Sequence, residues 1–198
     1  MKYPIPLQKL ITLLKKIPGV GQRTAERYAF QMIQWKESDL SNLAYTLANL
    51  KNDLTPCPEC GALKDELKCP FCNDPKRDKK TLCIVSSPKD IFAIENTSIF
   101  NGIYHVMPGL LSPIDGLGPE EMKFETLKQR IETLHIREVI LALDSTVEGD
   151  ATALFLKREL GKLDVLLSRL ALGMPLGSSL DFIDEGTLSQ ALSARLPI

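Results

Sequence analysis

Over the first fifty residues, apolar positions recur at helical spacing. Leu7, Leu10, Ile11, Leu14 and Ile17 make one amphipathic set, and Ala25, Tyr28, Ala29, Met32 and Ile33 make a second. The four residues PGVG at 18–21 leave room only for a very tight connection, so the two sets predict a helical hairpin whose second helix begins near Gln22–Thr24. A third helix is expected from Leu40, Leu43, Ala44, Leu47 and Leu50, with Ser38 as its N-cap. From Thr81 the pattern changes. Short apolar runs rich in strand formers (TLCIVS, GIYHVM, EVILALD, DVLLSRL) alternate with helical patterns at 88–95, at Phe124–Leu127–Ile131–Leu134 and in DATALFLKREL. That alternation predicts an α/β domain with a mostly parallel sheet covered by helices. The final TLSQALSARL reads as a short helix.

Composition narrows the class. The chain has 198 residues, 44% hydrophobic and 25% charged, as expected of a folded protein with one ordinary domain or a few small ones. No run approaches a membrane span and the opening residues carry no targeting pattern, so a cytoplasmic location is expected. The net charge of -1 conceals an asymmetry: residues 1–80 carry a balance of +5 and residues 81–198 a balance of -6. The first 36 residues hold seven cations and one acid, Glu26, which points to a local anionic partner.

The hairpin gives that anion a seat. A helix start exposes unpaired N–H groups and a partial positive charge, and phosphate sits well on both. Arg23 and Arg27 lie one turn apart on the second helix, while Lys15 and Lys16 approach from the first. The pattern around Gly19 and Gly21, with Ala25 downstream, resembles the helix-hairpin-helix motif, which holds DNA by its backbone without reading sequence. The candidate DNA-binding set is therefore Lys15, Lys16, Gly19, Gly21, Gln22, Arg23, Thr24 and Arg27.

The segment CPECGALKDELKCPFC supplies Cys57-x2-Cys60 and, eight residues on, Cys69-x2-Cys72. Two such turns bring four thiolates to one point, the sulfur set that Zn²⁺ prefers, and a closed four-sulfur site is structural rather than catalytic. The connecting loop has no room for a core of its own, so metal binding is expected to supply most of its folding free energy. Cys83 stands apart in an apolar run and reads as a core residue, and DPKRDKK at 74–80 reads as a charged linker.

Function in parallel sheets collects at the carboxyl ends of the strands. Those ends carry Ser86, Asp144 and a loop, STVEGDAT, holding Glu148 and Asp150.

The order of these motifs, followed by SPKDIFAIE, LSPIDGLGP, TVEGDAT and RLALGMPLGSSLDFID, resembles the RecR family of bacterial recombination mediators over essentially the whole chain. The resemblance implies that the α/β body is a Toprim module. It divides the chain into a helix-hairpin-helix domain (1–54), a zinc-finger segment (55–79), a Toprim domain (80–176) and a C-terminal Walker-B-like segment with a helix (177–198). It also implies one zinc ion per chain on Cys57, Cys60, Cys69 and Cys72. IDGLGP and TVEGD match the Toprim loops, making Asp115, Asp144, Glu148 and Asp150 an acidic set for a partner or a weak Mg²⁺ site. Family members form homo-oligomers, dimers or tetrameric rings, around DNA. They act with RecO, and in many bacteria RecF, to help RecA displace single-strand-binding protein. The sequence departs from the Toprim pattern at two acids: Ser86 stands where the first-strand glutamate is usual, and Asp144-Ser145-Thr146 lacks the second acid of Asp-x-Asp.

Two functional classes compete. A nuclease, primase or topoisomerase needs clustered carboxylates to hold Mg²⁺ against a phosphate, and of the three usual acids one remains. A non-enzymatic DNA-binding mediator needs phosphate contacts, a rigid scaffold and protein-facing surfaces, and the sequence supplies all three. An ATPase is the weakest idea: SLDFIDE has the apolar-acidic form of a Walker B strand, but no phosphate-binding G-x-x-x-x-G-K-[ST] loop exists.

Overall fold

A computed structural model describes residues 3–65, 68–112, 116–120, 122–171, 173–175 and 177–195. The chain divides into two compact units, residues 1–54 and 55–198. Among the described residues, no helix is long and apolar enough to cross a membrane.

The first unit is three helices. Helix α1 spans Ile5–Leu14, begun by Pro4 and Pro6, whose fixed φ suits a first turn. Helix α2 spans Gln22–Ile33, starting where the sequence places it. Between them Gly19 takes φ 79°, a left-handed conformation that favours glycine. Ile17, counted with the first apolar set, lies beyond the end of α1 and is exposed. The unit's core is Ile11, Ala25 and Ala29, with Tyr3, Leu7, Leu10, Leu14 and Val20 packed around it. Of the three buried residues only Ile11 is large, and full burial of one such side chain contributes about 1.5–3 kcal/mol. Helix α3 spans Glu37–Asp53 and buries no residue. Its expected apolar stripe is present but open, with Leu47 62% and Leu50 45% exposed. Ser38 lies inside α3 rather than at its cap: Lys36 holds that position and makes no side-chain cap bond.

In the second unit, β1 (Thr55–Pro56) and β2 (Leu63–Lys64) form a two-residue antiparallel ribbon at the first cysteine pair. The α/β body follows: β3 (Asp78–Val85), α4 (Pro88–Glu95), β4 (Gly102–Val106), α5 (Phe124–Leu134), β5 (Glu138–Ala142), α6 (Val147–Leu160) and β6 (Leu166–Arg169). The four strands β3–β6 form one all-parallel sheet in the order β4-β3-β5-β6. The central strands bury both faces, as all-parallel sheets require. One core joins Leu82, Ile84, Ile103, Val139 and Leu141 with Leu127 and Ile131 of α5 and Leu156 and Leu160 of α6.

Three local expectations are corrected. The 74–80 segment is not a free linker: β3 begins at Asp78, and Arg77 pairs with Glu95 at 2.5 Å beside Phe71 and Tyr104. Glu148 and Asp150 are not in a loop but in the first turn of α6, because Thr146 caps the helix by accepting the Gly149 N–H. SLDFIDE forms no strand. It is a 3₁₀ turn at Leu180–Phe182 leading into α7 (Glu185–Ser193), since Asp184 accepts the Thr187 N–H and opens that helix instead.

Candidate nucleic-acid interface and metal centre

The hairpin turn is open. Gly21 is the N-cap of α2, at φ -80° and ψ 177°, and has no side chain to satisfy the amides of the first turn. A methyl group built on Gly19 or Gly21 would meet nothing within 4 Å. The N–H groups of Gln22, Arg23 and Thr24 thus begin a helix whose end is bare, the arrangement that receives an anion. The Gln22 side chain is already engaged, donating to Glu26 at 2.6 Å, which leaves that residue its backbone N–H for a ligand. Arg23 and Arg27 are exposed one turn apart, and the Arg27 guanidinium lies 5.5 Å from the Tyr28 ring centre. Lys15 and Lys16 are exposed just past the end of α1, on the other side of the turn. Among the described residues none of these four cations is in an ion pair.

The four cysteine sulfurs of Cys57, Cys60, Cys69 and Cys72 all lie within 4.8 Å of one another. A regular tetrahedron with Zn–S bonds of ~2.3 Å has sulfur–sulfur edges of about 3.8 Å, so the donor set fits the ion in number, chemistry and spacing. Backbone bonds shape both turns: the Gly61 N–H donates to the Cys57 carbonyl at 2.9 Å, and the Asn73 N–H to the Cys69 carbonyl at 3.1 Å. Asn73 answers by accepting the Cys69 N–H on its side-chain oxygen. Cys60 Sγ and Cys69 Sγ lie 3.5 Å apart, and the Cys72 N–H donates to Cys69 Sγ at 3.5 Å, so the second turn curls around the same point.

The cysteine knuckle is built onto the sheet. Cys57, Cys60, Cys69 and Phe71 share one buried cluster with Cys83, Val85, Ile91 and Tyr104. The Val106 N–H on edge strand β4 donates to the Cys60 carbonyl at 2.7 Å, so the knuckle also covers an end of that edge. Packing therefore supplements the metal, where the sequence alone led us to expect the metal to carry most of the folding. Cys83 is a core residue, and burial pushes its thiol up to about 12.

At the carboxyl ends of β3 and β5, Ser86 and Asp144 are neighbours: the Asp144 N–H donates to Ser86 Oγ at 3.2 Å. Asp150 is paired with Arg169 at 2.6 Å. Among the described residues, the four cysteines are the group in which three or more ligand side chains converge; Asp144, Glu148 and Asp150 do not. Asp115 lies outside the described residues. Sequence reasoning missed Gly149, where a side-chain carbon would fall 1.9 Å from the Asp144 carbonyl oxygen. It also missed Arg77 and Arg130, whose partners are distant in the chain.

Comparison with known proteins matches three regions of the chain to family models. Residues 7–51 match the model of the RecR helix-hairpin-helix, residues 80–171 that of the Toprim domain, and residues 173–195 that of the RecR C-terminal region. The recombination protein RecR of Protochlamydia amoebophila is 50% identical over 195 residues, 98% of each chain. That of Chlamydia felis is 50% identical over 199 residues, all of this chain and 99% of the relative, and that of Chlamydia trachomatis serovar D is 47% identical over 197. An open hairpin turn, a four-thiol centre and a parallel Toprim sheet, in that order and with this coverage, leave one conclusion: the chain belongs to the RecR family of recombination proteins.

Proposed function

We propose that this protein is a non-enzymatic mediator of recombinational DNA repair that grips DNA by its phosphates. The carrying observation is the bare start of α2, with Gly21 leaving the amides of Gln22, Arg23 and Thr24 open between two pairs of exposed cations. Such contacts fix position without reading bases, as a mediator acting on arbitrary gaps requires. Residues 1–54 bind DNA, the knuckle at 55–79 holds one structural zinc, and the Toprim body (80–176) with the C-terminal segment (177–198) presents surfaces to protein partners. The partners are RecO, and RecF where present, and the outcome is RecA loaded on gapped or single-strand-binding-protein-coated DNA in the cytoplasm, at the nucleoid. Several copies assemble around the DNA. The slight core of the first unit and the open apolar stripe of α3 favour burial against another chain.

A Toprim nuclease or primase reading has less support. Ser86 accepts a backbone N–H where a metal-binding acid would be needed, and Asp150 is neutralised by Arg169. The deciding experiment measures DNA affinity against salt for the unaltered chain and for Arg23→Ala/Arg27→Ala. The double variant should bind all sequences more weakly and lower the salt slope by roughly one for each phosphate it no longer neutralises. An unchanged slope overturns the hairpin as the grip. DNA cleavage or primer synthesis with Mg²⁺, abolished by Asp144→Ala, overturns the non-enzymatic reading.

A further inference from the structure

Arg130 sits on α5, in the Toprim body, yet its guanidinium reaches the cysteine knuckle. Nη2 donates to Cys72 Sγ at 3.4 Å, and Nη1 donates to the Tyr104 carbonyl at 2.6 Å, with His105 Nδ1 3.4 Å away. Cys72 is the least buried of the four cysteines. His105 is held well below its ordinary value, at about 4, by burial and by Arg130, so the guanidinium faces a neutral ring and a carbonyl on one side and sulfur on the other.

Four thiolates around Zn²⁺ carry a net charge of two negatives, and a dianion with three of its four sulfur residues buried needs nearby compensation. We propose that Arg130 is a positioning residue of the metal centre: it orients the Cys72 thiolate, offsets part of the centre's negative charge and ties both to strand β4. The inference rests on the cysteine cluster being a zinc site. Bonds that join separate elements make the role more than packing: the thiolate belongs to the knuckle, the carbonyl to β4 and the guanidinium to α5. Residues bonded to metal ligands from outside are commonly worth about 10–100-fold in metal affinity. Neutralising this one should act mainly on how fast the ion leaves.

The test uses the full chain loaded with zinc, and separately with Co²⁺ in its place. Zinc release to an excess of a chromophoric chelator is followed for the unaltered chain, Arg130→Gln, Arg130→Lys and Arg158→Gln. The last removes the same charge from an exposed guanidinium on α6 that touches no thiolate. We expect release from Arg130→Gln to quicken by ~10-fold or more. Arg130→Lys should recover part of the retention, and Arg158→Gln should match the unaltered chain. The sulfur-to-cobalt charge-transfer band should shift in Arg130→Gln, which a purely structural change away from Cys72 would not produce. Equal release from Arg130→Gln and the unaltered chain, both folded by circular dichroism, overturns the inference while leaving the zinc reading intact. Equal quickening in Arg158→Gln overturns it too, by assigning the effect to overall charge. A folded unaltered chain that takes up no zinc sinks the metal reading and this inference with it.

Discussion

Gly21→Asp separates the two demands made on the hairpin. At Gly21 the backbone is extended, φ -80° and ψ 177°, the geometry of a side-chain N-cap, and the space around its absent side chain is empty. An aspartate there can fold its carboxylate over the amides of Arg23 and Thr24. Capping gains over glycine are a few tenths of a kcal/mol, and a negative charge at a helix start adds about 0.3–1 kcal/mol. A total of about 0.5–1 kcal/mol raises the melting temperature of a unit this small by roughly 2–8 °C. The same carboxylate occupies the donors that a phosphate would use and repels it. Losing a charge-assisted hydrogen bond costs about 1.5–3 kcal/mol, or ~10–150-fold in affinity. The assay pairs thermal unfolding with fluorescence anisotropy on labelled single-stranded DNA across a salt series. Gly21→Asn, which caps without charge, should stabilise similarly and weaken DNA binding less. A variant that is stabilised but binds DNA as tightly as before, with the same salt slope, would show that these amides do not touch the phosphates. The hairpin would then hold DNA by its cations alone, or not at all.

Two more predictions concern the second unit. Gly61 has φ 75°, and a methyl there would stand 2.9 Å from Val106 Cβ, so Gly61→Ala combines backbone strain with a clash where the knuckle meets β4. It should destabilise the chain by ~1–3 kcal/mol and weaken zinc retention, read by thermal unfolding and chelator competition; full stability would refute the docking described. Glu95 is held below the usual carboxylate range first by the Arg77 hydrogen bond and then by that of Tyr104, so its contribution is present above the unfolded value of about 4.3 and is lost as pH falls through the lower folded value. Glu95→Gln should therefore melt earlier than the unaltered chain at pH 7, with the gap closing below about pH 4; a gap independent of pH would remove the ion pair as its cause.

How much of this was legible in the sequence depends on the range of each interaction. The hairpin, the cysteine pairs and the strand–helix alternation could be read directly, because periodicity and ligand spacing are local properties of a chain. Cap positions were less secure. Ser38 has the right chemistry for an N-cap, but α3 starts a residue earlier, whereas Thr146 and Asp184 cap α6 and α7 with the amides three residues on. The features that join the knuckle to the Toprim sheet were not legible at all. Arg77 meets Glu95 eighteen residues away, and Arg130 meets Cys72 across fifty-eight. In the sequence Arg77 sits in a charged run and Arg130 on a helix with alternating charges, where a solvated role is the natural reading. Only the fold makes them partners. Edge strand β4 lies between them, offering Val106 N–H to Cys60, the Gly102 carbonyl to Arg77 and the Tyr104 carbonyl to Arg130. The knuckle is thus held by one strand from several sides. Stripping the metal should consequently loosen β4 and α4 as well as the cysteine loop, and that spread would appear as faster amide exchange at Tyr104 and Val106.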